Sequence, residues 1–156
     1  MQFLRWIFDH YSALMTPELI DPRGPRFTAG ITTIVLATAL LSGSWIPVFI
    51  QCVQFALGGF VSPKKAPYGL IYINLIQPRL SKDFSSEPIN GPKFAQKVGF
   101  LCTVVALGGS LIGNYVTFAI AVAFALAAAF LNAVFNFCLG CEIYLIGQRV
   151  FSKKFR

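Results

Sequence analysis

The stretch from Tyr115 to Leu139, YVTFAIAVAFALAAAFLNAVFNFCL, contains no charged residue and decides the fold. At a helical rise of about 1.5 Å per residue, this run is long enough to cross the roughly 30 Å of hydrocarbon in a bilayer. A backbone in hydrocarbon has to satisfy its own hydrogen bonds, and a helix does so within one segment. We therefore predict a membrane-spanning helix over this stretch.

Three further charge-free runs accompany it. Phe27 to Val61 contains two of them, divided at Ser42-Gly43-Ser44, and a third begins at Val98 and ends around Gly113-Asn114. Hydrophobic residues make up 56% of the chain and charged residues 12%, whereas a soluble domain has about 25% charged residues. The sequence thus predicts an all-α membrane protein with four transmembrane helices in two tandem hairpins. The first three spans are short, which favours a locally thin bilayer around the first hairpin or cover from neighbouring helices.

The basic residues predict the orientation, because the two hairpin turns contain none of them. They fall in an N-terminal, a central and a C-terminal group: Arg5, Arg23 and Arg26; Lys64, Lys65, Arg79, Lys82, Lys93 and Lys97; Arg149, Lys153, Lys154 and Arg156. Since cytoplasmic loops are enriched in Lys and Arg, we expect both termini and the central loop to face the cytoplasm. The net charge of +7 then indicates contact with anionic lipid headgroups. The cations are spread along the interface and not clustered in a groove, which argues against nucleic acid as a partner.

Amphipathic segments are predicted outside the spans. Within residues 1 to 20, apolar side chains recur at helical spacing with polar residues opposite, which is typical of a helix lying in the membrane interface and not of a signal peptide. The segment from Tyr68 to Gln77, between two prolines, and the C-terminal segment are further interfacial helices in this interpretation.

An internal repeat organises the chain. Gly24-Pro25-Arg26-Phe27 recurs as Gly91-Pro92-Lys93-Phe94, each before an apolar hairpin, and related phrases beginning Ile71-Tyr72 and Ile143-Tyr144 follow the hairpins. We therefore divide the chain into the interfacial helix 1–20, a first repeat 21–80, a polar linker 81–90 and a second repeat 91–156. Two spans per repeat would relate the halves by a pseudo-two-fold axis along the membrane normal. Chance recurrence in a biased composition is the alternative explanation.

Small and amide side chains on the last span predict helix packing. Residues of these types recur at intervals of four: Ala121, Ala125, Ala129 and Ala133, with Asn132 and Asn136. Small residues let helix backbones approach closely, and amides form hydrogen bonds between helices. A transport pathway is the alternative role for the amides. The spans contain no charged residue and so lack the ionisable groups that an ion-coupled pump uses.

Cys138, Cys141 and Glu142 are the candidate reactive residues. A cytoplasmic location is reducing, so we do not expect a permanent disulfide between the two thiols. The C-terminus of the last span would raise the pKa of Cys138, and a helix break at Gly140 would place Cys141 at the start of a new helix. On this basis Cys141 is the predicted nucleophile, Cys138 its resolving partner, and Glu142 a proton acceptor or a helix-start carboxylate. The alternative is that these cysteines, like Cys52 and Cys102, are packing residues.

The sequence predicts no bound metal or cofactor. His10 is the single histidine, which excludes haem held by two histidines within this chain. It is expected to be a solvated interfacial residue, with one axial contact to a pigment or haem as the alternative. Zinc needs about four ligands, and Cys138 with Cys141 supplies two. Dimerisation could supply the other two, but nothing in the sequence requires it.

Two motifs carry a resemblance to a known family. Asp21-Pro22-Arg23-Gly24-Pro25-Arg26-Phe27, paired with Phe137-Cys138-Leu139-Gly140-Cys141-Glu142-Ile143-Tyr144, resembles the signature of bacterial membrane proteins catalogued only as a domain of unknown function, over roughly residues 18 to 150. Members are small four-helix proteins, often encoded beside thioredoxin-like and rhodanese-like proteins. The resemblance implies a location in the bacterial cytoplasmic membrane and a link to thiol redox or sulfur traffic.

Two functional hypotheses follow. In the first, the protein presents a cytoplasm-facing CxxC dithiol to a soluble thioredoxin-like or rhodanese-like partner and is not an enzyme on its own. In the second, it is a non-catalytic accessory subunit that associates with other membrane subunits or with copies of itself through its alanine stripe and amphipathic helices.

Overall fold

The computed structural model describes Gln2, residues 18 to 83 and residues 85 to 154. The amphipathic helix predicted in residues 1 to 20, including His10, falls almost entirely outside these residues.

The described chain is helical, which confirms the predicted all-α class. Its α-helices are α1 (Arg23–Ser42), α2 (Trp45–Ala56), α3 (Pro67–Ile71), α4 (Asn90–Leu111), α5 (Tyr115–Phe135) and α6 (Leu139–Lys154). A π-helical segment, Leu57–Val61, prolongs α2, and the segments Tyr72–Ile76 and Gln77–Arg79 prolong α3. Two short strands, β1 (Leu19–Ile20) and β2 (Glu87–Pro88), pair in antiparallel orientation.

Three helices of the described chain, α1, α4 and α5, are long and apolar enough to cross a membrane. Helix α2 with its π-helical extension covers Trp45–Val61 and is shorter. At about 1.5 Å per residue it is roughly 25 Å long, a little less than the ~30 Å of bilayer hydrocarbon. Large apolar side chains point outward, including Leu41, which is 90% exposed, and Phe124, which is 71% exposed. Apolar surface of this extent is typical of helices that face lipid.

Helices α1 and α4 end in the same way, at a left-handed glycine followed by a residue that caps the next helix. Gly43 and Gly113 adopt the left-handed conformation, with φ of 64° and 72°, which glycine reaches without the steric penalty of a Cβ atom. The next residue then caps the following helix: Ser44 Oγ accepts a hydrogen bond from Ile46 N at 3.3 Å, and Asn114 Oδ1 accepts one from Thr117 N at 3.2 Å. Both turns lie where the sequence divides its apolar runs.

The core forms where α1, α2, α4 and α5 meet. It is built of small and medium side chains around one aromatic ring: Leu36, Ala39, Val48, Ala106, Phe118, Ala121, Val122 and Ala125. Two members of the predicted alanine stripe, Ala121 and Ala125, belong to this cluster. Small residues on α5 therefore let it pack closely against α1 and α4, with which it makes its main contacts.

A buried polar network fixes α3 against the first two helices. Gln51 Nε2 donates to Thr32 Oγ1 at 2.9 Å, and Gln51 Oε1 accepts a hydrogen bond from Tyr68 Oη at 3.2 Å. Gln54 Oε1 accepts from the backbone N–H of Tyr68 at 3.2 Å. These bonds satisfy glutamines that are 0% and 2% exposed, so the burial of both amides is compensated.

Helix α5 is shorter than the span predicted from the sequence. It ends at Phe135, four residues before Leu139. Asn136 has φ 54°, a left-handed conformation that asparagine tolerates better than most residues. The N–H of Phe137 then donates to Leu131 O at 3.3 Å and closes the helix end. The break between the two helices consequently lies at residues 136–138 and not at Gly140, which belongs to the first turn of α6.

Candidate functional site

Cys138 caps the N-terminus of α6. It immediately precedes the first helical residue, and its Sγ accepts a hydrogen bond from the backbone N–H of Cys141 at 3.3 Å. A side chain that accepts from the third helical N–H is the pattern of an N-cap residue. The two thiols are therefore held by one helical turn, and both are free and partly buried.

The two thiols have opposite pKa shifts. A hydrogen bond from the Cys141 side chain, helped by the backbone N–H groups of Cys141 and Gly140, lowers the pKa of Cys138 to about 7. The same hydrogen bond, together with burial, raises the pKa of Cys141. Thiolates are favoured at helix N-termini and in CxxC motifs, and only the thiolate is nucleophilic. Cys138 is accordingly the thiol that ionises first.

This order is the reverse of the one expected from the sequence. The expectation assumed that Cys138 closes the last span, where the helix dipole opposes a thiolate. Because α5 ends at Phe135 and α6 begins at Leu139, Cys138 instead lies at the positive end of the following helix. Cys141 occupies the third helical position, from which its backbone N–H donates to Cys138 Sγ.

Glu142 is an exposed residue in the first turn of α6. Its backbone N–H donates to Cys138 O at 3.0 Å. A carboxylate in the first helical turn interacts favourably with the helix dipole. Its role as a proton acceptor stays a prediction.

Close backbone contacts hold the first turn of α6 against the start of α4. A Cβ atom on Gly140 would lie 2.5 Å from the Cβ atom of Ala95, and one on Gly91 would lie 3.2 Å from Cys141 Sγ. The rings of Phe94 and Tyr144 then pack one turn farther along, with centroids 5.9 Å apart. The glycines thus allow the approach that places the dithiol against α4.

A cavity of about 300 Å³ lies beside the capping thiol. Residues of α1, α2, α4, α5 and the start of α6 form its wall, and Cys138 belongs to it. The wall is mainly apolar and includes four hydrogen-bonding side chains, Thr28, Thr32, Gln96 and Asn132. Small concave spaces with an apolar lining and a few polar groups are typical of binding sites for small molecules.

Sequence reasoning missed part of this wall. Thr28, Thr32 and Gln96 were not candidates, because only the packing of α1 and α4 against α5 brings them to one cavity. Their polarity next to long apolar runs was the available signal. Gln96 is notable because its Oε1 is buried and has no hydrogen-bond partner within residues 18–83 and 85–154.

The predicted packing residues of α5 have separate positions. Ala129 and Asn132 line the cavity, beyond the core alanines Ala121 and Ala125. Ala133 is partly buried near the end of the helix. Asn136 is exposed and is itself the left-handed residue that terminates the helix. The residues that are spaced by four along α5 therefore extend from the core into the cavity wall.

Asp21 forms a second polar cluster at the start of α1. Its carboxylate accepts hydrogen bonds from Arg23 N at 3.0 Å and from Tyr72 Oη at 2.7 Å. Burial opposes ionisation, but hydrogen bonds from the Arg23 side chain, from Tyr72 and from the Arg23 backbone outweigh it and lower the pKa of Asp21. Burial and the bond to Asp21 raise the pKa of Tyr72 to about 12. The cluster anchors the segment after α3 to the start of α1.

Within residues 18–83 and 85–154, no group of three or more His, Cys, Asp or Glu side chains is placed to hold a metal ion. His10 lies outside that part.

A family model described as Domain of unknown function (DUF4395) matches residues 20–149. No curated protein and no solved structure matches the chain. The match covers α1 to α5 and most of α6, including Cys138 and Cys141. The chain therefore belongs to the DUF4395 family, as its two motifs predicted.

Proposed function

We propose that this protein crosses the membrane four times and presents the Cys138 and Cys141 dithiol on the cytoplasmic side for exchange with a soluble thioredoxin-like or rhodanese-like partner. The observation that carries the proposal is the capping position of Cys138, whose lowered pKa of about 7 makes about half of this thiol a thiolate at neutral pH.

The four-span arrangement is supported by the β1 and β2 ladder. It joins Ile20, just before α1, to Glu87, just before α4, so these two helices begin at one end of the protein. The chain must therefore return to that end between them, and Trp45–Val61 is the apolar helix available for the return. The turn at Gly43 is free of charge, whereas Lys64 follows the returning helix. This charge asymmetry favours a cytoplasmic location for the start of α4 and for the dithiol packed on it.

The thiol geometry supports separate roles. Cys138 borders a cavity and has the lower pKa, so it is the sulfur that attacks or is attacked first. Cys141 packs against Gly91 and is held one turn away, where it can resolve an intermediate on Cys138. In this arrangement the raised pKa of Cys141 keeps it protonated until the thiolate on Cys138 has been consumed.

Exchange with a partner disulfide proceeds in two displacement steps. The Cys138 thiolate attacks one partner sulfur, which forms a mixed disulfide and releases the other partner sulfur as a thiolate that takes up a proton. Cys141 then loses its proton and attacks Cys138 Sγ, which forms the internal disulfide and releases the second partner thiol. Two electrons and two protons pass to the partner, and the reverse sequence oxidises a partner dithiol.

Transfer of sulfane sulfur would also use Cys138 as the nucleophile. The Cys138 thiolate would attack the outer sulfur of a partner persulfide, which forms a persulfide on Cys138 and releases the partner thiolate without net oxidation. A rhodanese-like partner supplies such a persulfide. The proposal therefore covers two chemistries with one nucleophile, and the product on Cys138 distinguishes them.

Mixed-disulfide trapping tests the proposal. In a background with Cys52→Ala and Cys102→Ala, Cys141→Ser should accumulate a covalent complex with a thioredoxin-like protein, because the resolving thiol is missing. Cys138→Ser should form none, and the Cys138→Ser/Cys141→Ser protein is the matched control. The complexes are measured by non-reducing electrophoresis and mass spectrometry of the linked peptides.

The same experiment can overturn the proposal. Equal trapping by the two single-serine variants would contradict the assigned roles. Failure of Cys141→Ser to trap either a thioredoxin-like or a rhodanese-like protein, in a sample with an alkylatable Cys138, would contradict an exchange function altogether.

A further inference from the structure

We propose that the cavity beside Cys138 binds a membrane quinone, which takes up two electrons from the Cys138 and Cys141 dithiol. This inference rests on the proposed exchange function and deepens it by naming the acceptor that regenerates the disulfide.

The cavity reaches the side of the protein that would face lipid. Its wall includes Val98 of α4 and Phe124 of α5, which are 39% and 71% exposed. Both helices are long and apolar enough to cross a membrane. A ligand dissolved in the bilayer could therefore enter between them, whereas a charged solute would have to cross apolar surface.

The size and lining suit a single substituted ring. A volume of about 300 Å³ lies at the lower end of the range for small-molecule sites, roughly 300 to 1,000 Å³. Ring faces pack well on the apolar side chains of the wall, and a quinone carries two oxygens that need hydrogen-bond partners. Asn132 provides an amide group in that wall. An apolar site with a few convergent polar groups matches this ligand class.

The amide of Asn132 distinguishes a quinone from a lipid acyl chain. Asn132 lines the cavity together with Cys138. A quinone oxygen accepts a hydrogen bond from an amide N–H, whereas an acyl chain has no group that donates or accepts one. The buried Oε1 of Gln96 lies beside Gly58 and is not counted among the groups that reach the ligand.

The reaction balances with the two thiols and one quinone. The Cys138 thiolate adds to a ring carbon, which forms a C–S bond and moves an electron pair to a carbonyl oxygen that takes up the proton lost by Cys138. Cys141 then loses its proton and attacks Cys138 Sγ, so the S–S bond forms and the C–S bond breaks. The electron pair of the C–S bond returns to the ring, and the second oxygen takes up the proton lost by Cys141. The products are the disulfide and a quinol.

A bound quinone also explains how a dithiol in a reducing compartment could turn over. Soluble thiols keep cytoplasmic cysteines reduced, so an oxidant is needed to regenerate the disulfide. An acceptor drawn from the bilayer reaches the cavity without passing through the cytoplasm. Electrons would then flow from a partner dithiol through Cys138 and Cys141 to the quinone.

Quinone reduction by the full chain tests the inference. The Cys52→Ala/Cys102→Ala protein is reduced, placed in phosphatidylcholine and phosphatidylglycerol vesicles, and mixed anaerobically with a short-chain ubiquinone. We expect one disulfide and one quinol per protein, measured by mass after thiol alkylation and by quinone absorbance. Ala129→Phe should lower the rate at least about tenfold by filling the cavity. Ala127→Phe, at an exposed position of the same helix outside the cavity wall, should leave it unchanged.

Further measurements keep the result interpretable. If Ala129→Phe fails to fold, Asn132→Leu should raise the quinone concentration needed for half-maximal rate. Both variants should still be oxidised by the soluble oxidant diamide. Quinone reduction at equal rates in Ala129→Phe and Ala127→Phe would overturn the cavity assignment. Partner trapping by Cys141→Ser without any quinone reduction, or with a phospholipid as the sole cavity ligand in native mass spectrometry, would overturn the inference and leave the proposed exchange function standing.

Discussion

Ile20 pairs with Glu87 in the antiparallel ladder, and these two residues are separated by the same 67 positions that separate Gly24 from Gly91. In a duplicated chain, Ile20 would therefore be paired with its own counterpart. An antiparallel pair of equivalent residues is the arrangement expected where a two-fold axis passes through a ladder. We propose on this basis that the axis of the predicted repeat runs between β1 and β2.

Aromatic pairs agree with this symmetry. Phe27 and Tyr72 have centroids 5.8 Å apart with an interplanar angle of 39°. Phe94 and Tyr144, the residues that correspond to them in the sequence repeat, are 5.9 Å apart at 40°. The surroundings then diverge: Tyr72 donates to buried Asp21, whereas the hydroxyl of Tyr144 accepts a hydrogen bond from Gln148 at an exposed position.

This divergence gives a prediction with a built-in control. Tyr72→Phe should lower the free energy of unfolding by about 1.5 to 3 kcal/mol, because it removes a buried hydrogen bond to a charged acceptor. Tyr144→Phe should change it by less than about 0.5 kcal/mol, since its hydrogen bond is exposed. Denaturant unfolding in one detergent measures both variants. Equal changes in the free energy of unfolding would contradict a stabilising hydrogen bond from Tyr72 to Asp21.

Gly140→Ala should destabilise the site by about 1 to 3 kcal/mol, because the new methyl group would overlap Ala95 of α4. It should also expose Cys138 to faster alkylation by moving the first turn of α6 away. Gly147→Ala is the matched control in the same helix, where a Cβ atom meets nothing within 4 Å. That change should stabilise the helix by up to about 1 kcal/mol. Thermal unfolding and thiol alkylation measure the two effects, and a neutral Gly140→Ala would contradict the close contact.

Composition and periodicity predicted most of the fold. The charge-free runs located α1, α2, α4 and α5 because a helix in hydrocarbon leaves an unmistakable apolar signature. Glycine at 43 and 113 marked the turns for a similar reason, since few other residues adopt positive φ readily. The family motifs were also recognisable in the sequence.

The helix end and the order of the two thiol pKa values were predicted less well. Both Asn136 and Gly140 can adopt a left-handed conformation, and the sequence alone favoured the glycine. Gly140 is helical, and its lack of a side chain leaves room for Ala95 to approach. This is a tertiary contact between residues 45 positions apart. Because the break lies four residues earlier than predicted, Cys138 is at the positive N-terminal end of α6 and not at the negative C-terminal end of α5. The order of the two pKa values is therefore the reverse of the predicted order. The cavity was likewise invisible, because its wall combines residues of five helices.

The reactivity of Cys138 should follow its lowered pKa. In the Cys52→Ala/Cys102→Ala protein, alkylation of Cys138 should be half-maximal near pH 7 and constant above about pH 9, because the thiolate is then almost fully formed. Cys141→Ala should move this midpoint upward toward 9.0, since the largest stabilising contribution is the hydrogen bond from the Cys141 side chain. Stopped alkylation followed by peptide mass spectrometry gives both profiles. A midpoint above pH 8 in the starting protein would contradict the capping geometry.

The proposed topology can be tested with single cysteines in a variant whose native cysteines are alanine. Ile112→Cys, 77% exposed at the turn between α4 and α5, should react with a membrane-impermeant maleimide on intact cells. Ser81→Cys and Ser152→Cys, both exposed at the opposite end, should react only after permeabilisation. Labelling of Ser152→Cys on intact cells would place the dithiol side outside and contradict the proposed orientation.

The accessory-subunit hypothesis makes a different prediction about assembly. It assigned the alanine stripe of α5 to contacts with other subunits, but Ala121 and Ala125 pack in the core and Ala129 lines the cavity. Since this surface is used inside the protein, it is not available to bind another chain. We therefore expect native mass spectrometry after mild solubilisation to show a monomer or a homodimer. Stoichiometric recovery of a second membrane protein, dissociated by an exposed change such as Ala127→Phe and not by Cys138→Ser, would instead favour the accessory role.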